Sequence, residues 1–242
     1  SLAASPMDLP ARRERMIVEY QVGDYTQGDA YLEQVLELMR MTPPGPAFEY
    51  AYPAMLVPMV AHITGVLDRL DVAKTAAEAV LASPSSNPNL VARARIGLGL
   101  LAVQRGDAVG AREQCAALEF GRATMLFWTF SGDRLLGLLA HTMGQLDKAG
   151  QHFEHALACC RKAGYRPELA WSCYDYAEAL LRPSATDVGA RHASPLRNGL
   201  PKEYFIKGMD PEMEQAVRDA AKVYQKMGAE IREERRPPHA HR

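Results

Sequence analysis

Apolar and small residues recur at helical spacing along most of this chain, and the stretch 135–164 shows the pattern most clearly. It reads LLGLLAHTMGQLDKAGQHFEHALACCRKAG, and its alanine and leucine content is typical of helices. Gly137 and Gly144 interrupt it, although each glycine inside a single long helix would cost about 1 kcal/mol relative to alanine. The spacing therefore predicts two helices joined by a turn at Gly144, where glycine tolerates a positive φ, with Gly137 at a close contact between helices.

A second copy of this pattern lies upstream and is centred on Gly106. The matched positions are Leu136, Gly137, Ala140, Ala149, Phe153 and Ala156 in one copy, and Leu98, Gly99, Ala102, Ala111, Cys115 and Leu118 in the other. A weaker copy is centred on Gly23, and further helix pairs are predicted over 53–82, with a turn at 68–71, and over 167–181 with 208–228. Because each hairpin leaves an apolar face exposed unless another stacks on it, about five pairs are expected to share one core.

This spacing resembles the tetratricopeptide (TPR) repeat, with its L-G before the turn and its A-x-x-x-F-x-x-A after it. The resemblance implies an all-α fold, a TPR-like superhelix (solenoid) of about five helix pairs. The chain departs from the TPR pattern at Asp133, where tryptophan is typical, and at Arg161, where proline is typical. The period from one copy to the next is also longer than that of the TPR module.

Proline and glycine content predicts the domain limits. Residues 1–10 are expected to be a disordered or linker start, 11–228 the helical repeat domain, and 229–242 a fraying helix and tail. The insertion 182–207 is rich in proline and glycine, poor in apolar residues and longer than most loops, so it is expected to be mobile. The chain starts without an initiator methionine, which predicts that it is a segment of a longer polypeptide.

Composition is that of an ordinary soluble domain, with 242 residues, 48% apolar residues and a formal net charge of −1. This balance argues against nucleic acid or a membrane surface as a direct partner. The apolar run 54–67 is interrupted by Pro58 and His62 and is shorter than the roughly 20 residues that span a bilayer. The four cysteines have no zinc-site spacing, and reduced thiols predict a cytoplasmic protein.

Three histidines are the candidates for metal chemistry. His152 and His155 form an H-x-x-H, and His141 lies on the partner helix. In the repeat register, however, 152 and 155 flank the inward positions, so both are expected to face solvent. With no nucleophile-base pairing and no phosphate loop, the prediction is a non-catalytic protein without cofactor or metal, and a metal-dependent hydrolase is the least favoured alternative.

In TPR proteins the first helix of each repeat lines a concave groove, and the matching positions here are the candidate binding residues. The candidates are Arg93, Gln104, Arg134, Leu138, His141, Trp171, Asp175 and Glu178; Ser131 and Glu168 occupy further matching positions. Charges beside Trp171 fit a protein or peptide partner, or a small-molecule inducer, in the groove. Trp171 has an equally favoured alternative role in packing between repeats.

The runs 133–181 and 112–127 are similar to the C-terminal helical arm of bacterial multidomain ATPase regulators. In that family an ATPase core is joined to a LuxR-type DNA-binding domain or an adenylate/guanylate cyclase-like domain. The resemblance implies a sensor arm in signal transduction or transcription regulation, whose partners include the neighbouring domains of the same polypeptide. The alternative is a free-standing TPR scaffold that binds protein partners.

Overall fold

The structure, a computed structural model, is predominantly helical. It describes residues 8–127, 130–181, 197–201 and 230–234. In chain order the elements are α1 (Asp8–Val22), α2 (Tyr25–Met41), α3 (Phe48–Thr64), α4 (Leu70–Leu81), α5 (Pro88–Arg105), α6 (Ala108–Leu118), a 3₁₀ turn (Glu119–Gly121), β1 (Met125–Leu126), β2 (Phe130–Ser131), α7 (Gly132–Thr142), α8 (Leu146–Ala163), α9 (Arg166–Leu181), β3 (Arg197–Pro201) and β4 (Glu230–Glu234). The helical class predicted from the spacing is confirmed at this level.

Four helical hairpins account for most of the first of two compact units, which comprises Ser1–Ala179 and Pro183–Ala185. They are α1 with α2, α3 with α4, α5 with α6, and α7 with α8, and α5 also contacts α3 and α7. Each hairpin turns at a glycine in the left-handed region: Gly23, Gly65, Gly106 and Gly144, with φ between 64° and 86°. The turns predicted at Gly23, Gly106 and Gly144 are therefore confirmed. The turn predicted at 68–71 instead begins at Gly65, whose N–H donates to the Ala61 carbonyl and ends α3.

The tightest helix contact lies between α3 and α5. Pro58 in the middle of α3 has no N–H, so the Ala54 carbonyl lacks its usual helical donor. Gly97 of α5 packs against that carbonyl so closely that a Cβ on Gly97 would lie 1.8 Å from the Ala54 oxygen. Further along α5, Gln104 Nε2 donates to the Pro58 carbonyl at 2.6 Å. The proline and the glycine thus fit one another across the interface.

The contact predicted at Gly137 is also present, but Gly99 is less constrained. A Cβ on Gly137 would lie 3.2 Å from the Phe153 ring, so α7 and α8 are close because this position is small. A Cβ on Gly99 would meet Leu118 at 3.5 Å, an ordinary van der Waals distance. The sequence pattern therefore singled out Gly99, whereas the closest approach lies at its neighbour Gly97.

The second compact unit, comprising Leu180–Arg182 and Thr186–Arg242, contains a parallel strand pair. Strand β3 pairs with β4 in register from Arg197 opposite Glu230 to Pro201 opposite Glu234. The sequence pattern instead predicts a loop over 182–207 and a fraying helix from 229, because the β4 residues EIREE favour helix locally. Pairing with a distant strand outweighs that local preference. The predicted helix 208–228 lies outside the described residues.

No helix in the described part of the chain is both long and apolar enough to cross a bilayer.

We expect Gly97→Ala to destabilise the protein by about 3 kcal/mol or more, at the upper end of overpacking effects, because the new methyl group meets backbone that cannot move aside. Gly99→Ala is the matched control on the same helix, and its cost should stay near or below about 1 kcal/mol, as expected where the added methyl group makes ordinary contacts. Urea unfolding of the two variants measures the difference. Equal stability of the variants would contradict the packing described here.

Candidate functional site

A buried group of charged side chains connects α3, α7 and α9, and Arg134 lies at its centre. Ser131 is the N-cap of α7, where its hydroxyl oxygen accepts from the Arg134 N–H at 3.4 Å. This cap places Arg134 in the first turn of α7, where only 3% of the residue is exposed. Its guanidinium carbon lies 3.8 Å from the centre of the Phe130 ring, so the charge is stacked on an aromatic face.

Two carboxylates of α9 neutralise this guanidinium. Arg134 Nη1 donates to Glu168 Oε2 at 2.7 Å, and Arg134 Nε forms an ion pair with Asp175 Oδ2 at 2.9 Å. Glu168 and Asp175 are separated by two helical turns, which places them on one face of α9. The Ser131 backbone N–H also donates to Glu168 Oε1 at 2.6 Å. The start of α7 is therefore fixed to α9 through both backbone and side chain.

His62 extends this group to α3. Its Nε2 lies 2.9 Å from Asp175 Oδ1, across 113 positions of sequence. The Trp171 ring lies 6.0 Å from the His62 ring and 5.7 Å from the Arg134 guanidinium carbon, which makes it the half-buried aromatic border of the group. We call His62, Arg134, Glu168, Trp171 and Asp175 the polar node.

The pKa values of the two carboxylates in the polar node are shifted in opposite directions. Burial acts to raise the pKa of Asp175, but the charges of His62 and Arg134 and their polar contacts outweigh it, so the net pKa is lowered. Burial dominates at Glu168 and raises its pKa, although Arg134 and the Ser131 N–H oppose that shift. Asp175 is therefore the firmly ionised member, and Glu168 is the carboxyl that accepts a proton more readily.

An ionised Asp175 can only accept hydrogen bonds, so His62 Nε2 is the donor in this contact. A carboxylate-oriented imidazole can exchange protons through its other nitrogen. The dense pairing of the buried charges also holds three helices in one arrangement. Both properties arise from the same contacts.

The predicted groove residues are only partly brought together. Arg134, Trp171 and Asp175 meet in the polar node together with Glu168. Ser131, another of the matching positions, contacts the node through its N–H bond to Glu168. Arg93 lies elsewhere, with its guanidinium carbon 3.8 Å from the Phe127 ring and 4.9 Å from the Tyr52 ring. Leu138 is buried in the core, Gln104 bonds to α3, and His141 and Glu178 are half-buried. Most of these side chains thus contact the protein itself.

His62 was missed by the repeat register, although the sequence held a signal for it. It is a single imidazole in the apolar run 54–67, and a buried polar group needs a hydrogen-bonding partner. The identity of that partner could not be read from the sequence, because Asp175 lies on a helix that is remote along the chain.

The expectation that His152 faces solvent is wrong. Its Nδ1 lies 2.9 Å from Asp133 Oδ1, and only 14% of its side chain is exposed. Asp133, at the position where TPR repeats carry tryptophan, is itself buried and draws the imidazole inward. His155 is exposed, as predicted. Within the ranges that the structure describes, no three histidine, cysteine, aspartate or glutamate side chains converge as a metal site would require.

Comparison with known proteins identifies partial relatives. The chain is similar to the A subunit of glutamyl-tRNA(Gln) amidotransferase from Psychrobacter cryohalolentis, with 34% identity over 146 residues, covering 57% of this chain and 29% of that protein. The corresponding protein of Cupriavidus necator is 36% identical over 107 residues, 39% of this chain and 21% of that protein. That of Chromohalobacter salexigens is 56% identical over 46 residues, 19% of this chain and 9% of that protein. The chain thus spans less than a third of the length of these relatives.

No family model and no solved structure matches the chain.

These relatives correct several expectations. The similarity to LuxR-type or cyclase-linked ATPase regulators is wrong, because the matching proteins are amidotransferase subunits. The predicted roles in signal transduction and transcription regulation, as a non-catalytic regulatory arm or a free-standing TPR scaffold, are wrong for the same reason. So is the expectation that the protein is not an enzyme. The expectation of a small-molecule inducer or a signalling partner is also wrong, because the relatives are named as subunits of an amidotransferase. Helical spacing constrains packing but not chemistry, so it could not distinguish these classes.

We expect Asp175→Asn to lower the free energy of unfolding by about 3–5 kcal/mol near neutral pH, because it leaves the Arg134 and His62 contacts incomplete in a buried site. The pKa of Asp175 is lower in the folded state, so its stabilisation is fully present above the ordinary value of 3.8 and is lost as the pH falls below that value and through the lower pKa of the folded state. The difference between wild type and variant should therefore shrink in acid. Urea unfolding across this pH range measures it.

Asp68→Asn, in the exposed turn before α4, is the control and should change stability by no more than about 0.5 kcal/mol. If the Asp175→Asn difference were the same at neutral pH and in strong acid, the ionised state of Asp175 would not be the source of the stabilisation.

Proposed function

We propose that this chain contributes to an amide-transferring enzyme, as a partial relative of the A subunit of glutamyl-tRNA(Gln) amidotransferase. The observation that carries the proposal is the 34% identity over 146 residues with the Psychrobacter protein. Other subunits of such an enzyme are the proposed partners. The activity of the whole relative requires more sequence than this chain matches, so the chain's share is one segment of it.

We propose that part of this relationship lies in the second compact unit. Its stretch from Thr186 to Arg242 is comparable in size to the 46-residue match to the Chromohalobacter protein. The longer match, which covers 57% of this chain, exceeds the length of that unit and therefore includes residues of the first unit as well.

The parallel pairing of β3 with β4 supports the same assignment. Parallel strands need a crossover connection of about a dozen residues or more, and the chain between Pro201 and Glu230 is long enough to supply one. Such pairs are typical of α/β proteins rather than of helical hairpin stacks. This unit therefore differs in kind from the hairpins that precede it.

The hairpins of the first unit we propose to stack in a TPR-like manner. Left-handed glycines at four successive turns and the Gly137–Phe153 contact support this arrangement. The predicted groove residues Arg134, Trp171 and Asp175 then act by holding the inner helices together through the polar node.

A segment exchange tests the proposed function. In the Chromohalobacter protein, the 46 residues that this chain matches are replaced by this chain's own residues. Glutamine-dependent amidation of glutamyl-tRNA(Gln) by the assembled enzyme is then measured. We expect activity within about tenfold of the parent, which is about 1.4 kcal/mol in barrier height.

The control exchange inserts the same 46 residues of this chain in scrambled order and should abolish activity. An exchanged protein that assembles and melts like the parent but is no more active than this control would overturn the proposal.

A further inference from the structure

A short segment, residues 123–127, covers Arg93 of α5. It contains β1 and ends on Phe127, whose ring centre lies 3.8 Å from the guanidinium carbon of Arg93. The Tyr52 and Phe48 rings of α3 lie 4.9 Å and 5.6 Å from the same carbon. Only 8% of Arg93 is exposed, so three aromatic rings together cover a charged side chain. We call residues 123–127 the β1 strap.

The backbone is strained at both ends of the β1 strap. Ala123 has a φ of 55° and Phe127 a φ of 48°, and no other residue except glycine has a positive φ in the part of the chain that the structure describes. In this left-handed region the Cβ crowds the following carbonyl oxygen, so the conformation is unfavourable for any residue with a side chain. The closed position of the β1 strap is therefore maintained against the preference of its own backbone.

A neighbouring contact of the same kind carries no such strain. The Phe130 ring centre lies 3.8 Å from the Arg134 guanidinium carbon, the same distance as in the Phe127 contact. Phe130 is only 3% exposed, and the next residue, Ser131, donates its backbone N–H to Glu168. Phe127, in contrast, is half-buried. Burial and backbone strain thus distinguish two stacks of equal distance, and Phe127 is the ring that can be released first.

The β1 strap is held most firmly at its base. The Ala123 N–H donates to Asp133 Oδ2 at 2.7 Å. A Cβ on Gly132 would lie 1.9 Å from the Gly121 oxygen, so backbone packs directly on backbone beside this point. Beyond the base, the pairing of β1 with β2 consists of two residue pairs, and so short a strand pair has little stability of its own.

We propose that the β1 strap is a gate over Arg93, in which Phe127 lifts from the guanidinium while the base stays closed. The angle φ describes rotation about the bond between the amide nitrogen and Cα. Ala123 can therefore leave the left-handed region without breaking its N–H bond to Asp133. Opening relieves the strain at both ends of the strap and exposes Arg93, while Arg134 stays covered. The gate thus changes the exposure of one arginine and not of the other.

Phenylglyoxal, a reagent that modifies exposed arginine side chains, tests the gate on the full chain. Mass spectrometry follows the modification of Arg93 and Arg134 at urea concentrations below the unfolding transition. Arg93 should react at least about tenfold faster than Arg134, and its rate should depend little on urea, because a local opening exposes little surface. Equal rates at the two arginines would rule out the gate, and so would an Arg93 rate that rises with urea as steeply as global unfolding does.

Ala123→Gly removes the strain at the base, because glycine adopts a positive φ readily, and it should slow the modification of Arg93 by about threefold or more. Phe127→Ala removes the covering ring and should speed that modification by about threefold or more. Ala108→Gly is the matched control, since Ala108 is an exposed alanine at the start of α6 with no positive φ, and it should leave the rate unchanged.

If Ala123→Gly and Ala108→Gly gave the same Arg93 rate, backbone strain would not drive the opening and the inference would fail. The gate belongs to the helical hairpins and goes beyond the proposed function. Its readout is also separate from the segment exchange, which measures amidation.

Discussion

The close approach of α3 and α5 at Gly97 is the constraint on which the helical unit depends. Pro58 releases the Ala54 carbonyl from helical bonding, and only a residue without a Cβ can cover it at this distance. The Pro58 carbonyl is then met by Gln104, so two backbone groups around one proline both contact α5. His62 follows Pro58 by about one turn. The same contact that brings α3 against α5 therefore fixes the helix that carries His62 toward α9.

The polar node illustrates how a helical protein can specify one arrangement of its helices. Burying a guanidinium and two carboxylates carries a large desolvation cost, and well-packed apolar side chains often give equal or greater stability. Apolar contacts, however, tolerate sliding, whereas the Arg134, Asp175 and His62 contacts are satisfied in one register only. The pKa values of Asp175 and Glu168 shift in opposite directions for the same geometric reason: His62 and Arg134 both contact Asp175 and lower its pKa, whereas at Glu168 burial outweighs Arg134 and raises the pKa.

Features that depend on neighbouring residues, such as the turns, could be predicted from the sequence. Contacts between residues that are distant along the chain could not. Gly106 and Gly144 could be placed because a helical period is interrupted at the point where a positive φ is needed. Gly97 could not be distinguished from Gly99, because the atom that decides between them belongs to Ala54. Likewise, the burial of His152 depends on Asp133, and the β4 strand depends on β3. Function was the hardest property to predict. The helical pattern depends on how side chains pack, whereas the similarity to amidotransferase subunits is a matter of residue identity along the chain.

The glycines at the turns have free space around them, whereas Gly97 and Gly137 lie in close contacts between helices. This difference determines where the sequence can change. A side chain at Gly23, Gly65 or Gly144 would find no atom within 4 Å, so these turns are restrained by backbone conformation alone. Surface connections of this kind accept added residues at little cost in stability. Lineages of this protein can therefore acquire longer loops at these turns, whereas position 97 admits almost no side chain larger than glycine.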